Sequence, residues 1–198
     1  RRGVLAALRT RPVGATRSLR LPESDAFFSC GFSAGPFAHA DQFGVELVGG
    51  DKVRGPLLLT VQSNGCGPEG AALTRFDARP GDRLYVSGTI GDAHLGLRLL
   101  QDPTLAETWG LSGKDVVFLV ERYRRPSPRF DLALLVQNFA QASIDVSDGL
   151  VGDIDKLCQV AHVGTTLMTQ NIPCSPAARK ALACEPGLLP SLITAGDD

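Results

Sequence analysis

Ile144–Asp155 reads IDVSDGLVGDID, and where this stretch changes from one backbone type to the other decides what kind of fold the chain has. Its first part, taken with Ser143, is strand-like. In extended backbone alternate side chains share a face, so Asp145 and Ser147 are expected to point the same way. Its second part opens a helix. From Gly149 to His162 (GLVGDIDKLCQVAH) the residues Leu150, Ile154, Leu157 and Ala161 recur at intervals of four, three and four, which leaves one face apolar. Ser147 and Asp148 stand just before it, and both are good N-cap types.

Strand and helix signals mix in the same way upstream. GVELVGGD (Gly44–Asp51) reads as a short buried strand, and PLLLTVQ (Pro56–Gln62) as a second, rich in residues that suit a pleated surface. Phe28, Phe32, Phe37 and Ala40 have a loose helical spacing, interrupted by Gly35–Pro36. RPGD (Arg79–Asp82) predicts a turn. RLYVSGTIGD (Arg83–Asp92) predicts strand and loop, leading to a helix around Ala93–Leu100, while DVVFLVERY (Asp115–Tyr123) suits either strand or helix. The regular alternation of a doubly wound sheet is missing. The expected class is α+β, in two pieces joined near Gly70.

The 198 residues carry a formal net charge of −1 with a pI near 6.3, which argues against a nucleic-acid binder. The basic runs within Arg1–Arg20 and Arg122–Arg129 read as solvated surface. Five cysteines (Cys30, Cys66, Cys158, Cys174 and Cys184) make an odd count without the spacing of a zinc or redox motif, so a reducing cytoplasm is expected. Cys158 falls on the apolar side of the Gly149–His162 helix, where a buried free thiol is expected. No apolar run approaches the ~20 residues of a membrane span, and VLAAL after Arg2 is shorter than the apolar core of a secretory signal. The opening Arg1 and the closing ITAGDD read as cut ends.

Several familiar chemistries are absent. Gly65-x-Gly67-x-x-Gly70 matches a dinucleotide fingerprint by letter, but only AALTRFDAR separates Gly70 from Pro80, too little for the crossover helix. It reads as a strand-connecting loop. There is no P-loop, no Gly-x-Ser-x-Gly turn, and no metal spacing among His39, His94 and His162. What remains is aspartate. Asp145, Ser147 and Asp148 converge near a helix N-terminus, which favours anions, and Mg²⁺ prefers oxygen ligands shared with substrate phosphates. Capping by Ser147 or Asp148, with Asp145 ending a strand, accounts for the same residues. Asp51 has a matching position at the end of a predicted strand, where glycines allow close approach of an anion and Arg54 and Arg75 offer planar donors to phosphate.

VGGDKVRGP, TRFDARPGDRLYVSGTIGDAHLGL, RYRRPSPR, IDVSDGL and the terminal AGDD stand in the order and spacing of the thiamine-monophosphate kinases, and the chain resembles that family from Arg11 onward. The family is part of the AIR-synthase-like superfamily. The resemblance implies an α+β, two-domain architecture with both domains incomplete: residues 1–70 as the end of the N-terminal domain, 71–198 as the start of the C-terminal one. It implies ATP as co-substrate, Mg²⁺, a homodimer, and transfer of the γ-phosphoryl group to thiamine monophosphate, giving thiamine diphosphate. Position by position, Gly50, Asp51, Arg75 and Ser147 match ATP contacts, Asp51, Asp145 and Asp148 match magnesium ligands, and Asp197 matches a substrate-holding acid. The pattern is broken where Val4 stands at a ligand position, Gly3 at a serine, Lys52 at a threonine, and Phe76–Asp77 at a small residue and glycine. Two other readings keep the ancestry: a catalytically impaired dimerising or nucleotide-binding module, and another AIR-synthase-like ATP-using enzyme.

Overall fold

The computed structural model describes residues 11–22, 44–67, 69 and 72–196, which fall into two compact units, Arg1–Ala72 and Leu73–Asp198. The helical spacing in Phe27–Phe43, Cys30, Gly3, Val4 and Asp197 lie outside the described residues.

Among its described residues the first unit is a three-stranded mixed sheet. Strands β1 (Arg11–Leu21), β2 (Glu46–Arg54) and β3 (Leu58–Cys66) are ordered β2-β1-β3, with β1 parallel to β2 and antiparallel to β3. Ala15, Leu19 and Leu21 of β1 are buried, as is Val45. The two strands expected from the sequence are present, but the expectation that Gly44–Asp51 is buried is not met. Both β2 and β3 are exposed along almost their whole length, including Val48, Leu58, Leu59 and Val61. An apolar run identifies a strand by its propensity, whereas burial depends on what covers its faces. Gly50 has a use inside the sheet: a Cβ there would lie 1.9 Å from the Arg17 carbonyl oxygen across the β1–β2 ladder.

The second unit is helical among its described residues: α1 (Asp92–Gln101), α2 (Leu105–Thr108), α3 (Gly113–Arg124), α4 (Ala133–Phe139), α5 (Leu150–Ala161), α6 (Pro176–Cys184) and α7 (Leu189–Thr194). The ambiguous DVVFLVERY is α3. A capping box decides it, with Ser112 and Asp115 satisfying each other's backbone N–H groups at the helix start. Leu95 and Leu99 of α1, Trp109, Leu119 of α3, Ala177, Ala178 and Ala181 of α6, and Leu188 and Leu192 form one core cluster. The Trp109 Nε1–H donates to Glu185 at 3.0 Å, and Arg98 lies 5.3 Å over its ring.

Asp92, fully buried at the start of α1, is held by the hydroxyls of Thr89 and Ser175, the latter at 2.5 Å. Arg122 approaches it at 3.9 Å with its Nε buried, so this arginine departs from the solvated run expected of Arg122–Arg129. A smaller cluster joins Ile90, Leu150 and Ile154, with Val86, Val146, Cys158 and Ile193 packed against it. Cys158 is therefore on the apolar side of its helix, half-buried and free. The expected strand in Arg83–Asp92 is not formed. Leu84 and Tyr85 are exposed, and the segment pairs with no strand among the described residues.

Candidate functional site

The loop before α5 is built from both sides. A parallel bridge joins Thr74 to Ala142, and the Ser143 N–H donates to the Thr74 carbonyl at 3.2 Å. That pairing lays the 74–77 segment beside 142–146, which is why Arg75 reaches Asp145, with Nη2 and Oδ1 3.9 Å apart. Val146 packs into the Ile90–Leu150–Ile154 cluster, while Asp145 is half-buried and Ser147 and Asp148 are exposed. Gly196, from the terminal AGDD, sits against the same loop: a Cβ there would lie 1.9 Å from the Ser147 carbonyl oxygen.

Ser147 and Asp148 do not cap the helix, contrary to one of the two sequence readings. The N-cap is Gly149, with φ 108° and no side-chain cap. The backbone groups of Ser147 and Asp148 are used instead of their side chains. Their N–H groups donate to one oxygen of Asp153, at 2.8 and 2.9 Å. The other oxygen of Asp153 accepts from Lys156 Nζ at 2.9 Å, and Lys156 also bonds the Asp148 carboxylate. Burial pushes the Asp153 carboxyl up, but the two N–H bonds and Lys156 outweigh it and hold it below the usual range. Bonds to Asp148 and Asp153 raise the Lys156 ammonium.

Asp153 and Lys156 were missed from sequence because Asp153 was hidden in a helix read only for its apolar spacing. An acid four residues after a glycine N-cap is the signal that points to it. In the first unit, Gly50 and Asp51 lie on exposed β2, with Asp51 opposite Ser18 and its carboxylate accepting the Lys52 N–H at 2.8 Å. The structure thus brings together Arg75 with Asp145, and Ser147 with Asp148. Among the described residues no three His, Cys, Asp or Glu side chains form a cluster able to hold a metal ion by themselves.

No protein-family model matches the chain. The thiamine-monophosphate kinase of Escherichia coli (strain K12) is 35% identical over 184 residues, 93% of this chain and 55% of that protein. The crystal structure of thiamine-monophosphate kinase from Stenotrophomonas maltophilia K279a matches with a TM-score of 0.88 at 38% identity, covering 99% of this chain and 62% of that one. This chain is a relative of the thiamine-monophosphate kinases. AaThiL complexed with AMPPCP and TMP matches with a TM-score of 0.81 at 28% identity, over 98% of this chain and 62% of that chain. The fold is accordingly α+β and AIR-synthase-like. The chain spans about half the length of the curated relatives it matches.

Proposed function

We propose that the protein carrying this chain transfers the γ-phosphoryl group of ATP to the phosphate of thiamine monophosphate, giving thiamine diphosphate. The observation that carries this reading is the match, over nearly all of the chain, to a relative complexed with AMPPCP and TMP. In this reading Gly50, Asp51, Arg75 and Ser147 contact ATP, and Asp197 holds the acceptor. The Arg75 guanidinium, half exposed beside Asp145, offers planar donors to a phosphate group. The exposed Ser147 hydroxyl is available to the nucleotide, and the Asp153 bonds fix the backbone that presents it. No protein nucleophile is required, since the acceptor phosphate itself attacks.

Mg²⁺ fits the donor set in kind. Asp51, Asp145 and Asp148 supply hard carboxylate oxygens, and an ion held by one or two carboxylates plus substrate phosphates needs no cluster of three side chains. When bound, the ion screens the repulsion between two anionic reactants. The reading includes a homodimer in the cytoplasm, without nucleic-acid or membrane partners. It also takes residues 1–70 and 71–198 as parts of the two AIR-synthase-like domains. Among the described residues no helix is long and apolar enough to cross a membrane.

The test is turnover: purified chain, Mg²⁺-ATP and thiamine monophosphate, reading thiamine diphosphate. Product that disappears in Asp145→Asn supports the reading. Product that persists in Asp145→Asn and Asp148→Asn alike removes these carboxylates from it, and turnover on a different acceptor alone overturns the choice of substrate.

A further inference from the structure

The Asp148 carboxylate has a cation on it already. Lys156 Nζ bonds Asp148 Oδ2 and, at 2.9 Å, Asp153 Oδ1. The two carboxylates differ sharply in exposure, 68% for the Asp148 side chain and 3% for that of Asp153. Asp153 is also fixed by the N–H groups of Ser147 and Asp148. One buried group therefore sets the course of the loop and anchors the ammonium that covers Asp148. Lys156 lies in the second turn of α5, which Asp148 precedes, and its four-carbon stem gives it reach and freedom that the loop lacks.

We propose that Lys156 is a tethered counter-ion for Asp148, one that a divalent cation must displace, with Asp153 as the residue that positions it. This rests on the reading of Asp148 as a ligand of a divalent cation. The exchange is easy in one respect, because a solvent-exposed ammonium–carboxylate pair is weak. In the other it is directed, because the bond to Asp153 keeps the displaced ammonium beside the loop. The lysine thus keeps the carboxylate compensated before the cation arrives, at the cost of affinity for it.

The probe is Mn²⁺ alone, titrated into the full 198-residue chain at fixed ionic strength, with free ion followed by its paramagnetic signal. Lys156→Gln is expected to tighten Mn²⁺ binding about two- to fivefold, the range that loss of an exposed ion pair allows. Lys156→Arg keeps a cation and should stay near the parent. Lys180→Gln removes the same charge where it pairs with Asp115 and should also stay near the parent. Unchanged or weaker binding in Lys156→Gln overturns the proposal, as does an equal gain in Lys180→Gln. Asp148→Asn separates the two levels. Binding lost there but unmoved in Lys156→Gln sinks only the counter-ion, whereas binding unmoved in Asp148→Asn sinks the ligand reading beneath it.

Discussion

At the start of α1 the chain runs Thr89-Ile90-Gly91-Asp92, and at the start of α5 it runs Ser147-Asp148-Gly149-Leu150. Both helices take a glycine of positive φ as N-cap, 89° at Gly91 and 108° at Gly149, and neither has a side-chain cap. Both glycines press on the same stretch around α7, Gly91 on the Leu192 side chain and Gly149 on the Thr194 carbonyl. The order of acid and glycine differs. At α1 the aspartate follows the glycine and turns inward, where Ser175 and Thr89 hold it. At α5 it precedes the glycine and stays in solvent, and Asp153 takes the inward role. Moving a carboxylate across one glycine separates a buried acid that holds the fold from an exposed one paired with Lys156.

The two glycines offer the most severe way to break this comparison. Gly149 has φ 108° and ψ 147°, a region essentially reserved for glycine, and a Cβ would lie 2.5 Å from the Thr194 oxygen, which is backbone. Gly149→Ala should cost about 3–5 kcal/mol, combining strain with displacement of α7. Gly91→Ala meets Leu192 at its Cγ and Cβ, a buried core side chain rather than backbone, at φ 89° and ψ −3° close to the left-handed region. Its cost should be about 2–3 kcal/mol. Urea midpoints at unchanged slope measure both. Equal losses would mean that the two helix starts lean on α7 in the same way.

The aspartates sharpen it. Asp92→Ala leaves the Ser175 hydroxyl and the buried Arg122 Nε without their acid, and should lose about 2–3 kcal/mol. Asp148→Ala removes an exposed carboxylate whose partner is a solvated lysine, and should change stability by no more than about 0.5 kcal/mol. Comparable losses in urea unfolding would erase the distinction between structural and available acid.

This distinction is where sequence reading reaches its limit. α5 was legible because Leu150 and Ile154 mark a buried face at helical spacing, and burial of that face is what the helix is for. Asp145, Asp148 and Ser147 were legible as a group because they stand together just before one helix start, although the strand expected there is reduced to the Thr74–Ala142 bridge. Whether Asp148 caps the helix was not, since a capping and a non-capping aspartate have the same letters, and the outcome depends on Gly149 taking the cap and Asp153 taking the loop's N–H groups. Arg122 was misread for a related reason: its neighbours in the run are solvated, but its partner Asp92 is 30 positions away in sequence and buried. The exposed β2 and β3 show the same limit for apolar residues, because covering a strand is a property of its neighbours.

A third helix start, that of α3, gives the smallest expected effect and a control for the other two. Here a serine, Ser112, is the N-cap, and the acid Asp115 lies within the first turn. The Lys180 ammonium, then the Ser112 hydroxyl and N–H, hold the Asp115 carboxyl down to about 2 from an ordinary 3.8. A folded-state value below the unfolded one means that the unfolded chain binds the proton first. The contribution of Asp115 is therefore fully present above about pH 4 and is lost as pH falls toward 2. Asp153 acts with the same sign at α5. Asp115→Asn should flatten the fall of the urea midpoint between pH 4 and 2 slightly, because this pair is open to solvent and screened. It should leave Mn²⁺ binding unchanged, since α3 carries none of the loop before α5. A steeper acid dependence in Asp115→Asn would reverse the sign assigned to this pair, and altered Mn²⁺ binding would mean that the helix starts are coupled through more than the α7 contacts.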